Sequence, residues 1–176
     1  MHDRHGAKQP ERFDPARAAR LDDPKRFEYV SVEEILALLD PPQGTRLVDF
    51  GTGTGTYAIA IAKCRPDLHV IAFDEQAEML ALLQAKLKKQ PLHNVSAVLA
   101  GGEPVVGERL LALNVLHEVG DAPLAEIKRM VLPGGRALFI DWNGDVERPV
   151  GPPRDHVYTL DEARARLRGA GFAIVE

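Results

Sequence analysis

Val48-Asp49-Phe50-Gly51-Thr52-Gly53-Thr54-Gly55 is the stretch that decides the fold. Leu47, Val48 and Phe50 read as a buried strand, and glycines follow at alternate positions. Residues 56–63 then carry an apolar helical pattern. A strand, a glycine-rich turn and a helix in that order build a cradle for a ligand. Glycine accepts positive φ and presents no Cβ to what approaches it. The helix behind the turn begins with unpaired N–H groups, which suit a polar or anionic group.

Working outward, the chain alternates strands with helices. Upstream, Ser31 with Glu34 forms a capping box for a helix to about Leu39, whose buried face is Ile35, Leu36, Leu38 and Leu39. Asp40-Pro41-Pro42-Gln43-Gly44 stops it. Downstream, residues 68–73 read as a second strand ending at Asp74, and residues 75–90 as a long helix with lysines at its favourable end. Further strands are expected over 95–99, 109–115 and 136–141, with a loop at 100–104, a helix over 122–131 and a turn at 132–135. Residues 142–154 read as a long loop. Thr159 with Glu162 caps a last helix, and residues 172–175 read as a sixth strand. This is the pattern of an α/β, Rossmann-like, doubly wound and mostly parallel sheet. Residues 1–30 are expected to be an irregular arm whose first dozen residues hang loose, and 31–176 a single ligand-binding domain.

Composition narrows the classes. A chain of 176 residues fits one domain with a substantial core. The net charge of −4 argues against a broad nucleic-acid footprint. The apolar runs are too short to span a bilayer and the start has no leader pattern, so the cytoplasm is the expected compartment. One cysteine, Cys64, excludes an internal disulfide and a cysteine-rich metal site, and it is expected to be at least half-buried. No His/Asp/Glu cluster has metal-ligand spacing, and His2 and His5 lie in the tail.

Spacing selects the ligand. A dinucleotide fingerprint places a third glycine where Thr56 stands; here the pattern is G-x-G-x-G after the acid Asp49. With the Asp74 strand end, LNVLHEVGD (113–121) and LPGGRALFIDW (132–142), the chain resembles class I S-adenosylmethionine-dependent methyltransferases over roughly residues 30–176. It looks most like the small-molecule branch that includes quinone and arsenite methyltransferases. It lacks the cysteines of the arsenite enzymes and the Asn-Pro-Pro-Tyr signature of enzymes that methylate amino groups on DNA or protein.

The resemblance implies S-adenosylmethionine as cofactor and S-adenosylhomocysteine as product. It assigns cofactor contacts to Asp49, Gly51, Thr52, Gly53 and Gly55 of the cradle, and to Asp74 and Glu75. It adds Gly102 and Glu103 near the adenine, where relatives carry Gly-Asp or Gly-Asn, and Asn114 near the methionine portion. Asp74 either takes the ribose hydroxyls or caps the next helix, and the agreement of strand, loop and acid favours the ribose. Catalytic candidates are His117 as base, against a structural histidine, and Asp141 as orienter of the acceptor, against a turn cap. Trp142, His156 and Tyr158 are further pocket candidates, with Phe13, Phe27 and Tyr29 of the arm as mouth contacts or core anchors. The family's seventh, antiparallel strand is expected to be absent. The sixth strand is therefore expected to shift onto the fifth, or a partner chain, in a homodimer, to cover that edge. The expected partner is a small-molecule methyl acceptor, with no nucleic acid and no membrane. Two other readings stand beside methyl transfer: a cofactor-binding protein without catalysis, and an NAD-type oxidoreductase.

Overall fold

A computed structural model describes residues 13–175. Its centre is a parallel sheet of five strands: β1 (Arg46–Phe50), β2 (His69–Asp74), β3 (Val95–Leu99), β4 (Gly107–Leu113) and β5 (Val131–Ile140). They lie in the order β3-β2-β1-β4-β5, so the strand order reverses between β1 and β4. Helices α1 (Arg26–Tyr29), α2 (Val32–Leu39), α3 (Thr56–Cys64), α4 (Ala77–Lys89), α5 (Asp121–Met130) and α6 (Leu160–Gly169) surround it.

The strands are apolar on both sides because both faces are covered. Side chains alternate across the pleat. Leu47, Val70, Ala72, Leu111 and Leu113 point to one face, where α2, α3 and α4 supply Ile35, Leu39, Ile61 and Leu83. Val48, Phe50, Phe73, Leu110 and Ala112 point to the other, where α5 and α6 supply Leu124, Ile127 and Leu167. Phe50 and Phe73 are register partners on β1 and β2, and their rings stack at 5.3 Å. Both capping boxes form as the sequence indicates, Ser31–Glu34 on α2 and Thr159–Glu162 on α6.

Several expectations are corrected. Residues 172–175 form no strand. Phe172 and Ile174 pack their side chains on the second face instead, Phe172 edge-on to Phe139 at 5.3 Å. No sixth strand therefore pairs with β5 among the described residues. The Pro133-Gly134-Gly135 turn lies inside β5 rather than before it. Between Val131 and Arg136 five steps in β5 answer two in β4, from Gly107 to Arg109, so the turn is a bulge and the strand starts early. Leu38 is exposed rather than part of the buried face of α2, and Cys64 is exposed at the end of α3. The expected loose segment at 1–12, with His2 and His5, lies outside the described residues.

The lead-in folds back onto the glycine turn. A 3-10 helix, Pro15–Asp22, is capped by Asp14. Phe27 of α1 packs edge-on against Tyr57 of α3 at 5.0 Å, so it is a core anchor. Tyr29 is exposed.

Candidate functional site

The reversal of strand order opens a crevice at the carboxyl ends of β1 and β4, the place where open α/β sheets bind ligands. On one side lies the glycine turn. Gly51, Gly53 and Gly55 have φ of 70°, 56° and 75°, in the left-handed region. A Cβ at Gly51 would fall 2.7 Å from Val115 Cγ2, just past β4, so the two sides of the crevice touch at that point. A Cβ at Gly55 would fall 2.3 Å from Leu83 Cδ1. Gly55→Ala is accordingly expected to destabilise the fold by about 2–5 kcal/mol, the sum of left-handed strain and overpacking. Urea unfolding checks it, and a midpoint equal to that of the parent chain would contradict this packing.

Two acids shape the turn. Asp49 is 3% exposed, and its Oδ2 accepts from the Thr52 hydroxyl at 2.6 Å. Burial pushes this carboxyl up to about 6; the Thr52 hydrogen bond opposes that rise, and Asp74 adds to it by repulsion. A backbone hydrogen bond from Ala58 ties Asp49 to the first turn of α3, whose own N-cap, Gly55, has no side chain to offer. Asp74 sits at the tip of β2, where its Oδ2 accepts from Gly53 N at 2.7 Å and its Oδ1 from Gln76 N at 2.9 Å. It thus caps locally and bridges to the glycine turn at once. Each carboxylate oxygen has a second acceptor site, so both duties leave capacity for a ligand's hydroxyls. Glu75, next in the chain, is exposed.

The arm closes over this side, a contact that local sequence patterns do not reveal. Asp22 Oδ1 accepts from the hydroxyls of Thr54 and Thr56, each at 2.6 Å, and from Lys86 Nζ at 2.5 Å. Hydrogen bonding to Lys86, Thr54 and Thr56 holds the Asp22 carboxyl below its ordinary range despite partial burial. Leu21 lies against Gly53, and Gln76 Nε2 donates to the Phe13 carbonyl at 3.1 Å.

On the other side of the crevice stand the tips of β4 and β5. Asn114 turns left-handed, φ 56°, and its N–H donates to Ile140 O at 2.7 Å. The chain then folds through Val115–Val119. His117 Nδ1 lies 2.6 Å from Asp141 Oδ1, and His117 N donates to Asp141 Oδ2 at 3.0 Å. The two sequence-predicted catalytic candidates are therefore brought together. Asp141 Oδ1 also accepts from Trp142 N at 2.7 Å, so the same carboxylate holds His117 and caps the following turn. Glu118 follows His117 just beyond the strand tip, where the family resemblance also sets it near the methyl group. Its Oε1 lies 3.7 Å from His117 Nε2. Burial pushes its carboxyl up to about 7; His117 pulls it back, while Asp141, Asp74 and Glu75 push it further up. Asp74 and Glu75, at the end of β2, thus lie within electrostatic reach of Glu118. Its position beside His117 at a strand end was the only signal for it in the sequence.

The remaining candidates scatter. Gly101, Gly102 and Glu103 form an exposed turn after β3. Trp142 is half-buried, with the Arg148 guanidinium 5.4 Å from its ring centroid. Tyr158 Oη accepts from Arg166 Nη1 at 2.8 Å, so it faces α6. A cleft of about 320 Å³ lined by Gln43, Thr45, Arg109 and Gly134 sits at the amino-terminal end of the sheet, away from these groups. Among the described residues no helix is long and apolar enough to cross a membrane.

Residues 47–135, which span both sides of this crevice, match the family model described as a methyltransferase domain. Over 94% of its length the chain superposes on 92% of a SAM dependent methyltransferase from Aquifex aeolicus, with a TM-score of 0.85 and 30% identity. The release factor glutamine methyltransferase of Escherichia coli is 28% identical over 82% of this chain. The ribosomal RNA small subunit methyltransferase G of Salinispora arenicola is 29% identical over 72% of it. The chain spans about half the length of these curated relatives, 50% and 54% respectively. The chain thus belongs to the class I S-adenosylmethionine-dependent methyltransferases. The NAD-type reading falls with that membership.

Proposed function

We propose that this chain transfers a methyl group from S-adenosylmethionine to a small-molecule acceptor whose nucleophilic atom carries a proton. The observation that carries the reading is the His117–Asp141 contact of 2.6 Å at the carboxyl ends of β4 and β5, beside the glycine turn. The cofactor supplies an electrophilic methyl on a sulfonium. The chain's own residues then have three tasks. Gly51, Thr52, Gly53 and Gly55 let the backbone approach the cofactor, with Asp74 and Glu75 at its ribose and Gly102 and Glu103 beside its adenine. Asn114 and Asp49 line its methionine end. His117, oriented through Nδ1 by Asp141, takes the acceptor's proton at Nε2. Holding donor and nucleophile in line and excluding water supply the rest of the rate.

A small acceptor agrees with the charge of the mouth. Asp74, Glu75 and Asp141 stand at the strand ends around it, and the chain carries a net charge of −4, which repels polyphosphate chains. The names of the curated relatives, which concern a release factor and ribosomal RNA, set the competing reading of a macromolecular acceptor. A screen with methyl-labelled S-adenosylmethionine tests the proposal. It should offer amines, phenols and thiols beside peptides and RNA, with product mass as readout. Label in a small molecule supports the reading, whereas label in peptide or RNA alone would replace its acceptor. Cofactor binding without any labelled product would favour the non-catalytic alternative.

One consequence concerns pH. In the free protein the Asp49 carboxyl stands at about 6. A cationic ammonium beside it favours the charged form, so binding requires Asp49 to lose its proton. S-adenosylhomocysteine affinity is therefore expected to be level above pH 7 and to fall by up to about tenfold per unit below pH 6. Calorimetry between pH 5 and 8 checks this, with Asp49→Asn flattening the profile.

A further inference from the structure

Leu116 and Val119 bracket the His117-Glu118 pair, and one guanidinium takes both of their carbonyls. Arg166 of α6 donates from Nη1 to Leu116 O at 2.9 Å and from Nη2 to Val119 O at 2.5 Å. Nη1 donates in addition to Tyr158 Oη at 2.8 Å, and the guanidinium lies 4.9 Å from the Tyr158 ring centroid. Nη2 also reaches Asp121 Oδ1 at 3.5 Å, and the arginine side chain keeps only 14% exposure.

The backbone at the tip explains the need. The N–H groups of Glu118 and Val119 both turn back to Val115 O, and the turn ends before α5 begins at Asp121. The carbonyls of Leu116 and Val119 receive their donors from α6, outside the segment. A planar fork with five donors can serve two carbonyls three residues apart while stacked on a ring; a lysine ammonium, with three donors on one nitrogen, cannot hold the same set. On the opposite side Asp141 grips His117 through both its ring and its N–H. The tip is thus clamped between β5 and α6. Arg166 and Tyr158 lie beyond residues 47–135, the part that matches the family model.

We infer that Arg166 is a positioning residue: by fixing the carbonyls on either side of His117-Glu118, it holds the imidazole against Asp141 and keeps both side chains at the crevice. The catalytic consequence rests on the general-base reading of His117 given above, whereas the placement of the ring is measurable without turnover. The test is proton NMR of the free protein with ¹⁵N-labelled histidine, the His117 signal being identified by its loss in His117→Ala. In the parent chain the Nδ1 proton held by Asp141 is expected as a downfield, slowly exchanging imidazole resonance. Arg166→Lys is expected to abolish it while S-adenosylhomocysteine affinity stays within about twofold, because the cradle is untouched. Tyr158→Phe removes a single acceptor from the fork, keeps the fold if the lysine variant does not, and is expected to broaden the same resonance. An unchanged resonance in Arg166→Lys, or in Tyr158→Phe if the first variant does not fold, would overturn the inference.

Kinetics on any acceptor found by the screen give the second arm. Arg166→Lys should lower kcat by roughly 10–100-fold in the parent background. It should cost nothing further in a His117→Ala background, since two groups acting as one unit are not additive. An equal drop in both backgrounds would overturn the inference and leave the base reading intact. A His117→Ala variant at the parent rate would instead remove the base reading, with the ring's placement still decided by the resonance.

Discussion

Asp74→Ala is expected to weaken S-adenosylhomocysteine binding by roughly 100-fold, or about 2.7 kcal/mol. The size of the effect follows from the two jobs of this carboxylate. It is 6% exposed and accepts from Gly53 N and Gln76 N, one at each oxygen. Alanine leaves both N–H groups without a partner, at about 1–3 kcal/mol for each that stays buried. The Gly53 bond also sets the turn itself, so its loss loosens the cradle as well as removing the acceptor proposed for the ribose hydroxyls. Asp74→Asn separates the two effects. Its amide keeps one acceptor oxygen, so a loss of about tenfold with a smaller drop in Tm is expected. Titration calorimetry beside thermal unfolding reads both quantities. Tight binding by the alanine variant would show that Asp74 serves the fold only.

His117→Ala is expected to lower kcat by about 100- to 10,000-fold with little change in cofactor affinity. The asymmetry arises because His117 stands at the β4 tip, across the crevice from the groups of the cradle. The loss should depend on the acceptor. A nucleophile that reacts without shedding a proton needs no base, and its rate should be nearly indifferent to the substitution. Asp141→Asn should reproduce much of the loss, since it removes the charge that orients Nδ1. It should also perturb the β5 tip, because the same carboxylate accepts from Trp142 N. Single-turnover rates with matched acceptors of both kinds decide the matter, and equal losses for both would remove the base role.

The sequence made the centre of this molecule legible and its margins less so. The strand, turn and helix at 47–64 could be read because three local signals agree there: apolar alternation, glycine spacing and a helical repeat. The ends of α2 and α6 could be read because Ser31–Glu34 and Thr159–Glu162 satisfy helix N–H groups within four residues. Residues 172–175 misled because a short apolar run looks the same whether its backbone joins a ladder or its side chains merely pack. Here Phe172 and Ile174 pack. The bulge at Pro133-Gly134-Gly135 also resisted reading, since a turn signal does not reveal whether pairing resumes on both sides of it. In the site, His117 and Asp141 could be named separately as strand-end residues, but their contact joins positions 24 residues apart. The hold of Asp22 on Thr54, and of Arg166 on Leu116, spans 32 and 50 residues respectively, and nothing local announces either.

The most direct test of the central claim is calorimetric titration of the chain with S-adenosylhomocysteine, repeated in the presence of excess NADH. The structure predicts saturable one-to-one binding that NADH does not displace and that Asp74→Ala largely abolishes. No binding of S-adenosylhomocysteine, or its displacement by NADH, would contradict the account.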